Sequence, residues 1–391
     1  GTPMKRDYDT IVLGLGGLGS AALYWAARRV GAEALGLEQF DIDHGRGASQ
    51  DHSRIIRLSY HTPGYVALAQ AAYAAWAAVE ADAGEPLIMR TGGLDLWPSA
   101  PAYPMSDYTG SMDARGVAYE RLSAAEVMRR WPPFRLPDDV TGIYQADGGI
   151  ATPTLSNAAH RRLAAAYGAT LRDNAPVTAI RPLGEGLEVV AGGVAYRARR
   201  LIIAAGAWSN ALLAHFGRRL HLTVTQEQVT YYHSPRVDDF LPDRFPVWIW
   251  MDEPSFYGFP VFGEAGPKAA QDVGGERVTA ETRTFVPNAT TLARTETFLA
   301  RVLPGMLGPA IYTKTCLYTM PPDRNFVLGA LPEQPNVAVA IGAGHAYKFA
   351  ALIGRILSDL AIDGQTDYDI QPFDIDRPIL REKDPALNFM C

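Results

Sequence analysis

The sequence predicts an α/β chain in which a doubly wound open sheet is left and rejoined by long excursions. Two observations carry that expectation. The first is the run Asp9-Thr-Ile-Val-Leu-Gly14-Leu-Gly16-Gly-Leu-Gly19, with Glu38 standing 24 residues beyond Gly14. It has the form of a strand, a tight glycine turn, a helix and a second strand ending in a carboxylate. The second is the recurrence of short buried apolar runs far down the chain, at Arg200-Leu-Ile-Ile-Ala-Ala-Gly206 and Val337-Ala-Val-Ala-Ile341, each followed by small residues.

In the first unit Gly14 permits the turn, Gly16 leaves room where a pyrophosphate would approach, and Gly19 lets the helix through Ser20–Ala27 pack closely on the sheet. Backbone N–H groups at that helix start face the phosphates. Glu38 suits a free ribose hydroxyl, which favours FAD or NAD over NADP. A helix is expected over 65–80, a β-rich turn region over 87–97, and proline punctuation from Pro98 to Pro104. Mixed charge and apolar residues over 120–131 predict another helix. The loop 146–153 leads into a helix over 154–167, followed by paired strands at 187–191 and 193–196 and a buried strand from Arg200. A second excursion, about 220–312, carries β segments at 228–232, 245–250 and 256–262. Its aromatics Trp248, Trp250, Phe256 and Phe259 either line a pocket or pack beneath it. A strand and loop over 337–349 precede a helix over 350–361.

With 391 residues, 48% of them hydrophobic, the chain is long enough for two or three domains. A net charge of −6 with dispersed Lys and Arg argues against nucleic acid as a partner. No apolar run approaches the length of a membrane span. Two cysteines, Cys316 and Cys391, do not make a disulfide framework and point to a reduced, cytoplasmic setting. Gly1-Thr-Pro3 ahead of Met4 reads as a short expression scar. No zinc-finger, coiled-coil or solenoid pattern is present, and no metal is expected.

Several separated motifs, in order, resemble the monomeric sarcosine oxidase and N-methyl-tryptophan oxidase family of flavoproteins over about residues 8–380. They are the glycine turn, Ser53-Arg-Ile-Ile-Arg57, Phe256-Tyr-Gly-Phe-Pro260, Gly266-Pro-Lys268, Thr313-Lys-Thr-Cys-Leu-Tyr-Thr319 and Gly344-His-Ala-Tyr-Lys-Phe349. The resemblance implies an FAD-binding domain with a doubly wound open sheet, expected over 8–90, 145–220 and 313–380. It also implies a mixed-sheet substrate domain, expected over 91–144 and 221–312. FAD would be attached covalently through Cys316, a thiolate being the suitable nucleophile. Gly14, Gly16, Gly19, Glu38, Gln50, Arg54, Gly344 and His345 would complete the cofactor site.

By the same resemblance Lys268 is the catalytic cation that promotes reaction with molecular oxygen. Arg57 and Lys348 form a clamp for a substrate carboxylate, and Tyr257 orients the ligand or a water. The implied reaction oxidises the carbon beside a secondary amine, giving an imine that hydrolyses and hydrogen peroxide from oxygen. The substrate is an amino acid or secondary amine, best an N-methyl amino acid, and the native state is expected to be a monomer. Two departures weaken the inference to sarcosine itself. Relatives usually carry a histidine four residues after the lysine, where this chain has Asp272, and Gln50 stands where a flavin-side histidine is usual. A flavin amine dehydrogenase using another acceptor, and a nonenzymatic FAD-binding redox sensor, remain alternatives.

Overall fold

The structure, a computed structural model, describes residues 2–43, 47, 50–389 and 391. Gly1 of the expected expression scar lies outside the described residues. Two large sheets and one small one organise the chain. In the eight-stranded sheet the strand Asp7–Leu13 runs parallel to Ala34–Leu37 on one side and to Val194–Ile203 on the other. Thr170–Arg172 extends the sheet beyond Ala34–Leu37. The C-terminal half of Val194–Ile203 pairs in parallel with Gln334–Ile341, so the late apolar runs do return to the first strand's sheet. The N-terminal half of the same strand forms a hairpin with Gly186–Ala191. The segments 193–196 and 200–203, expected as separate strands, are thus one continuous strand that changes partners midway.

The helix Gly17–Val30 packs on this sheet together with Pro153–Ala166 and Ala350–Asp363, burying Ala22, Leu23, Ile353, Ile356 and Leu357 in one core. Close approach is enforced at Gly19, where a Cβ would stand 1.6 Å from the Gly14 carbonyl oxygen. Gly14 itself has φ +94 and its missing Cβ would lie 2.3 Å from Ala204 O, so both positions exclude any larger residue. The long helix Pro63–Ala83 starts at Thr62, whose side chain accepts from Tyr65 N–H, with Pro63 at its first position.

The nine-stranded sheet is built from Gly93–Trp97, Glu120–Ser123, Thr141–Gln145, Thr223–Tyr232, Val247–Trp250, Ser255–Phe259, Lys268–Asp272, Glu276–Arg277 and Ala310–Met320. It is mixed: Val247–Trp250 runs parallel to Gly93–Trp97 and antiparallel to Ser255–Phe259. Its apolar face packs on the helix Ala289–Val302, with Phe298 stacked on Phe256 at 4.4 Å and on Trp248 at 5.8 Å between ring centroids. The helix expected over 120–131 is corrected. Glu120–Ser123 is an edge strand paired with Thr141–Gln145, and only Ala124–Arg130 is helical. The boundary is set by Ser123, which caps Glu126 N–H while the Glu126 side chain answers Ser123 N–H. Sequence reading also missed the helix Met105–Ala114 that follows the proline run.

Candidate active site

An elongated cavity of ≈ 350 Å³ runs along the carboxyl ends of the parallel strands to the face of the nine-stranded sheet. At one end stand Gly14, Gly16, Glu38 and Ala204–Trp208; at the other stand Arg57, Tyr257, Asp272, Arg324 and Lys348. The helix Gly17–Val30 opens onto it without a side-chain cap, which leaves its N-terminal dipole available to an anion. The Glu38 carboxylate is 4% exposed and accepts Leu15 N–H at 3.1 Å and Phe40 N–H at 3.0 Å. These bonds fix it at the strand end, facing the cavity. A glycine turn, an uncapped helix start and a fixed carboxylate in one elongated cleft fit the phosphates and ribose of a dinucleotide.

Of the residues singled out in the sequence, Gln50, Arg54, Gly344 and His345 also line this cavity. Gly19, Lys268 and Cys316 do not. Gly19 acts behind the turn, as described. Lys268 lies beneath the wall, 1% exposed, on a strand face that it shares with Ala270 and Asp272. Its Nζ donates to Ser53 O at 2.7 Å and to Asp51 Oδ2 at 3.1 Å, and it sits 4.1 Å from the Phe259 ring centroid.

Asp51 is the partner that sequence reasoning missed. Oδ2 also accepts Arg54 Nη1–H at 2.9 Å, and Oδ1 accepts Tyr231 O–H at 2.6 Å and His52 N–H at 2.7 Å. Burial opposes its ionisation, yet Lys268 and Arg54 hold the carboxyl far below the usual carboxylate range. Burial pulls Lys268 down to about 8, with Arg54 acting in the same sense and Asp51 against it, so the ammonium persists at neutral pH. The only signal in the sequence was an acid between Gln50 and the Ser53–Arg57 motif.

Besides Arg324, the far end of the cavity holds two cations. Arg57 is 6% exposed, its Nε and Nη1 lack hydrogen-bond partners, and its guanidinium carbon stands 4.5 Å from the Tyr60 ring centroid. Lys348 Nζ is 5.5 Å from the same centroid and donates to His345 O at 3.1 Å. Its backbone is anchored by Trp76 Nε1–H, which donates to Lys348 O at 2.8 Å. Burial, and then Arg57, lower Lys348 to about 7. The His345 ring is turned inward. Nε2–H donates to Arg324 O at 2.9 Å and Nδ1 accepts from Tyr60 O–H at 3.2 Å, which fixes a neutral tautomer. Burial, reinforced by Arg324 and Lys348, keeps its pKa well below the ordinary value, so the neutral ring is committed to contacts within the protein.

Strand alternation decides which aromatics reach the cavity. Ile249, Met251, Ser255 and Tyr257 line it, whereas Trp248, Trp250 and Phe256 point to the opposite face and Phe298. Phe259 shares Tyr257's face but is covered by Lys268. None of the four aromatics proposed from the sequence lines the pocket. Burial raises the Tyr257 hydroxyl pKa, and Tyr318 hydrogen-bonds to it. Cys316 is a free, half-buried thiol on Ala310–Met320, beside the cavity-lining Leu317 and Tyr318. Burial pushes it up to about 11, against Arg54 and Arg283. Among the described residues no cluster of metal-ligating side chains occurs, and no helix is long and apolar enough to cross a membrane.

A protein-family profile described as FAD dependent oxidoreductase matches residues 9–360. The chain is 34% identical over 380 residues to a monomeric sarcosine oxidase of Streptomyces avermitilis, covering 95% of this chain and 98% of that one. The chain belongs to this FAD-dependent oxidoreductase family. An N-methyl-L-tryptophan oxidase of Salmonella arizonae is 31% identical over 376 residues, covering 95% of this chain and 99% of its own. The solved open form of NikD, described as an unusual amino acid oxidase essential for nikkomycin biosynthesis, superposes with a TM-score of 0.83 at 30% identity, over 95% and 98% of the two chains. Family membership makes the protein an FAD-dependent oxidoreductase, and the glycine turn and Glu38 suit such a dinucleotide.

Proposed function

We propose that the chain oxidises a secondary amino acid, best an N-methyl amino acid, to an imine that hydrolyses on release, with oxygen taken to hydrogen peroxide. The observation that carries this reading is the pair Arg57 and Lys348. Both are nearly buried at the end of the cavity remote from Glu38, and Arg57 has two unpartnered nitrogens. A buried cation with unused donors calls for an anion, and a substrate carboxylate supplies one while its amine points back along the cavity. Sarcosine and N-methyltryptophan, the amino acids named for the relatives above, share an N-methyl group.

FAD, when bound, supplies the acceptor for the hydride equivalent and passes the electrons on. The protein's task is then orientation and charge. Arg57 and Lys348 hold the carboxylate, Tyr257 presents its hydroxyl to the ligand, and Lys268 places positive charge beneath the wall residue Arg54, to which Asp51 joins it. Gly14, Gly16, Gly19 and Glu38 would seat the dinucleotide, with Gln50, Arg54 and the Gly344–His345 backbone around the ring system and Cys316 as the point of covalent attachment. The division of labour follows the sheets: the eight-stranded sheet carries the cofactor and the nine-stranded sheet the substrate, with the strand of Cys316 in the latter. The unbridged cysteines agree with a cytoplasmic protein; a monomer is proposed.

The purified protein's flavin spectrum is to be recorded without oxygen before and after sarcosine, N-methyltryptophan, L-proline, L-pipecolate and sugar-modified amino acids. Bleaching by an N-methyl amino acid, then recovery with peroxide on admitting oxygen, is expected. A flavin left oxidised by the whole panel overturns the proposal. One observation favours a dehydrogenase instead: the Lys268 charge is matched by Asp51 and does not face the cavity. Turnover with an artificial acceptor but no peroxide would select that reading.

A further inference from the structure

The cavity wall contains a guanidinium that no motif accounts for. Arg324 is 2% exposed and every one of its five N–H groups finds an acceptor. Nε donates to Ala343 O at 3.0 Å, Nη1 to Asp272 Oδ2 at 2.8 Å and Phe389 O at 3.0 Å, and Nη2 to Asp272 Oδ1 at 3.1 Å and Gly344 O at 3.3 Å. Its own carbonyl accepts His345 Nε2–H at 2.9 Å. One side chain therefore joins the strand Lys268–Asp272, the loop 342–348 and the segment at Phe389.

The loop it grips is unusual. Ala343 has φ +55 and Gly344 φ +75, and Arg324 itself has φ +52, a conformation that residues with a Cβ adopt only when their surroundings enforce it. Turned this way, the Ala343 and Gly344 carbonyls meet the guanidinium. Four residues after Gly344, the same loop delivers Lys348, whose Nζ rests on His345 O. The strand at the other end of the ion pair runs beside Tyr257, with Tyr257 opposite Ala270 and Ser255 opposite Asp272.

We propose that Arg324 is a positioning residue for the substrate pocket: through its paired bonds to Asp272 and to the Ala343 and Gly344 carbonyls it fixes where Lys348 stands relative to Tyr257. Lysine cannot replace it, because an ammonium has three donors and no planar fork to span a carboxylate and two carbonyls. Asp272 thereby acquires a role that the usual histidine at its position would not fill, as imidazole offers no pair of acceptors to a guanidinium. The inference rests on the carboxylate-clamp reading of Arg57 and Lys348.

The test uses FAD-loaded protein and a ligand that cannot be oxidised. Thiophene-2-carboxylate and its amide are titrated against the flavin spectrum for the wild type, R324K and D272N. The expected result is a wild-type preference for the acid, an acid affinity about tenfold weaker in R324K and about threefold weaker in D272N, and amide affinities changed less than twofold. If wild type binds acid no better than amide, the clamp reading fails and the proposal with it. If wild type prefers the acid but the variants keep wild-type acid affinity, or lose acid and amide equally, only the positioning role is overturned. D272N removes one of two carboxylate acceptors and leaves the other contacts of Arg324, so it reads the ion pair should R324K not fold.

Discussion

Substituting Lys268→Met separates the two halves of the proposed reaction. In the structure the change removes two hydrogen bonds, to Asp51 Oδ2 and Ser53 O, from a site that is 1% exposed. Asp51 keeps Arg54, Tyr231 and the His52 amide. Its charge therefore stays compensated, and the stability loss should sit near the lower end of the buried-pair range, about 3 kcal/mol. The functional loss is larger in consequence. A fixed positive charge beside a site where negative charge develops contributes up to about 2.7–4 kcal/mol, so reoxidation by oxygen should slow by up to about 10²–10³. The assay is stopped-flow mixing of anaerobically reduced enzyme with a series of oxygen concentrations, run beside the reductive half-reaction. Substrate reduction should change by less than about tenfold, since Lys268 does not line the cavity. The pH profile adds a second constraint. With Lys268 lowered to about 8 by burial, its charge is present below that pH and lost above it. Wild-type reoxidation should therefore decline through pH 8 while the Met variant stays flat. A variant that retains FAD and reoxidises at the wild-type rate would refute the assignment of oxygen activation to this cation.

Arg57→Met should lower kcat/KM for an N-methyl amino acid by about 10²-fold, in line with loss of a charge-assisted pair, and leave the matched amide within a few-fold; equal losses would place Arg57 in folding. Because burial and Arg57 bring Lys348 to about 7, its charge is present below that value. KM for acids should rise as pH increases through 7 and KM for amides should not, as read from initial rates in overlapping buffers. Cys316→Ala should leave FAD bound but extractable by acid or denaturant, as followed by flavin fluorescence of the precipitated protein; flavin that stays with the protein would exclude Cys316 as the sole attachment.

The parts of this molecule that were legible in its sequence are those fixed within a few residues of chain. Gly14, with its positive φ, and Gly19, which touches the Gly14 carbonyl, are demands of one turn and one helix start, and Glu38 is held by the backbone of that same unit. The local pattern failed where a distant strand decided the outcome. Glu120–Ser123 has a composition that suits a helix, and it is a strand because Thr141–Gln145 lies beside it. The aromatics of 248–259 illustrate a different limit: alternation was visible, but not which parity faced the cavity, since that depends on Phe298 packing against the other side. At the site, Lys268 was readable from its motif and its anion Asp51 was not, and no motif pointed to Arg324 as the partner of Asp272. Lys268 and Asp51 are 217 residues apart in sequence, and Arg324 and Asp272 are 52 apart. No local rule pairs them, because each pair joins a strand of the nine-stranded sheet to a loop residue that only the tertiary fold brings beside it. A motif can therefore nominate the charge that acts on a ligand, but the residue that tunes or positions that charge is defined only by the tertiary fold, and Asp51 and Arg324 are where substitutions should separate the two.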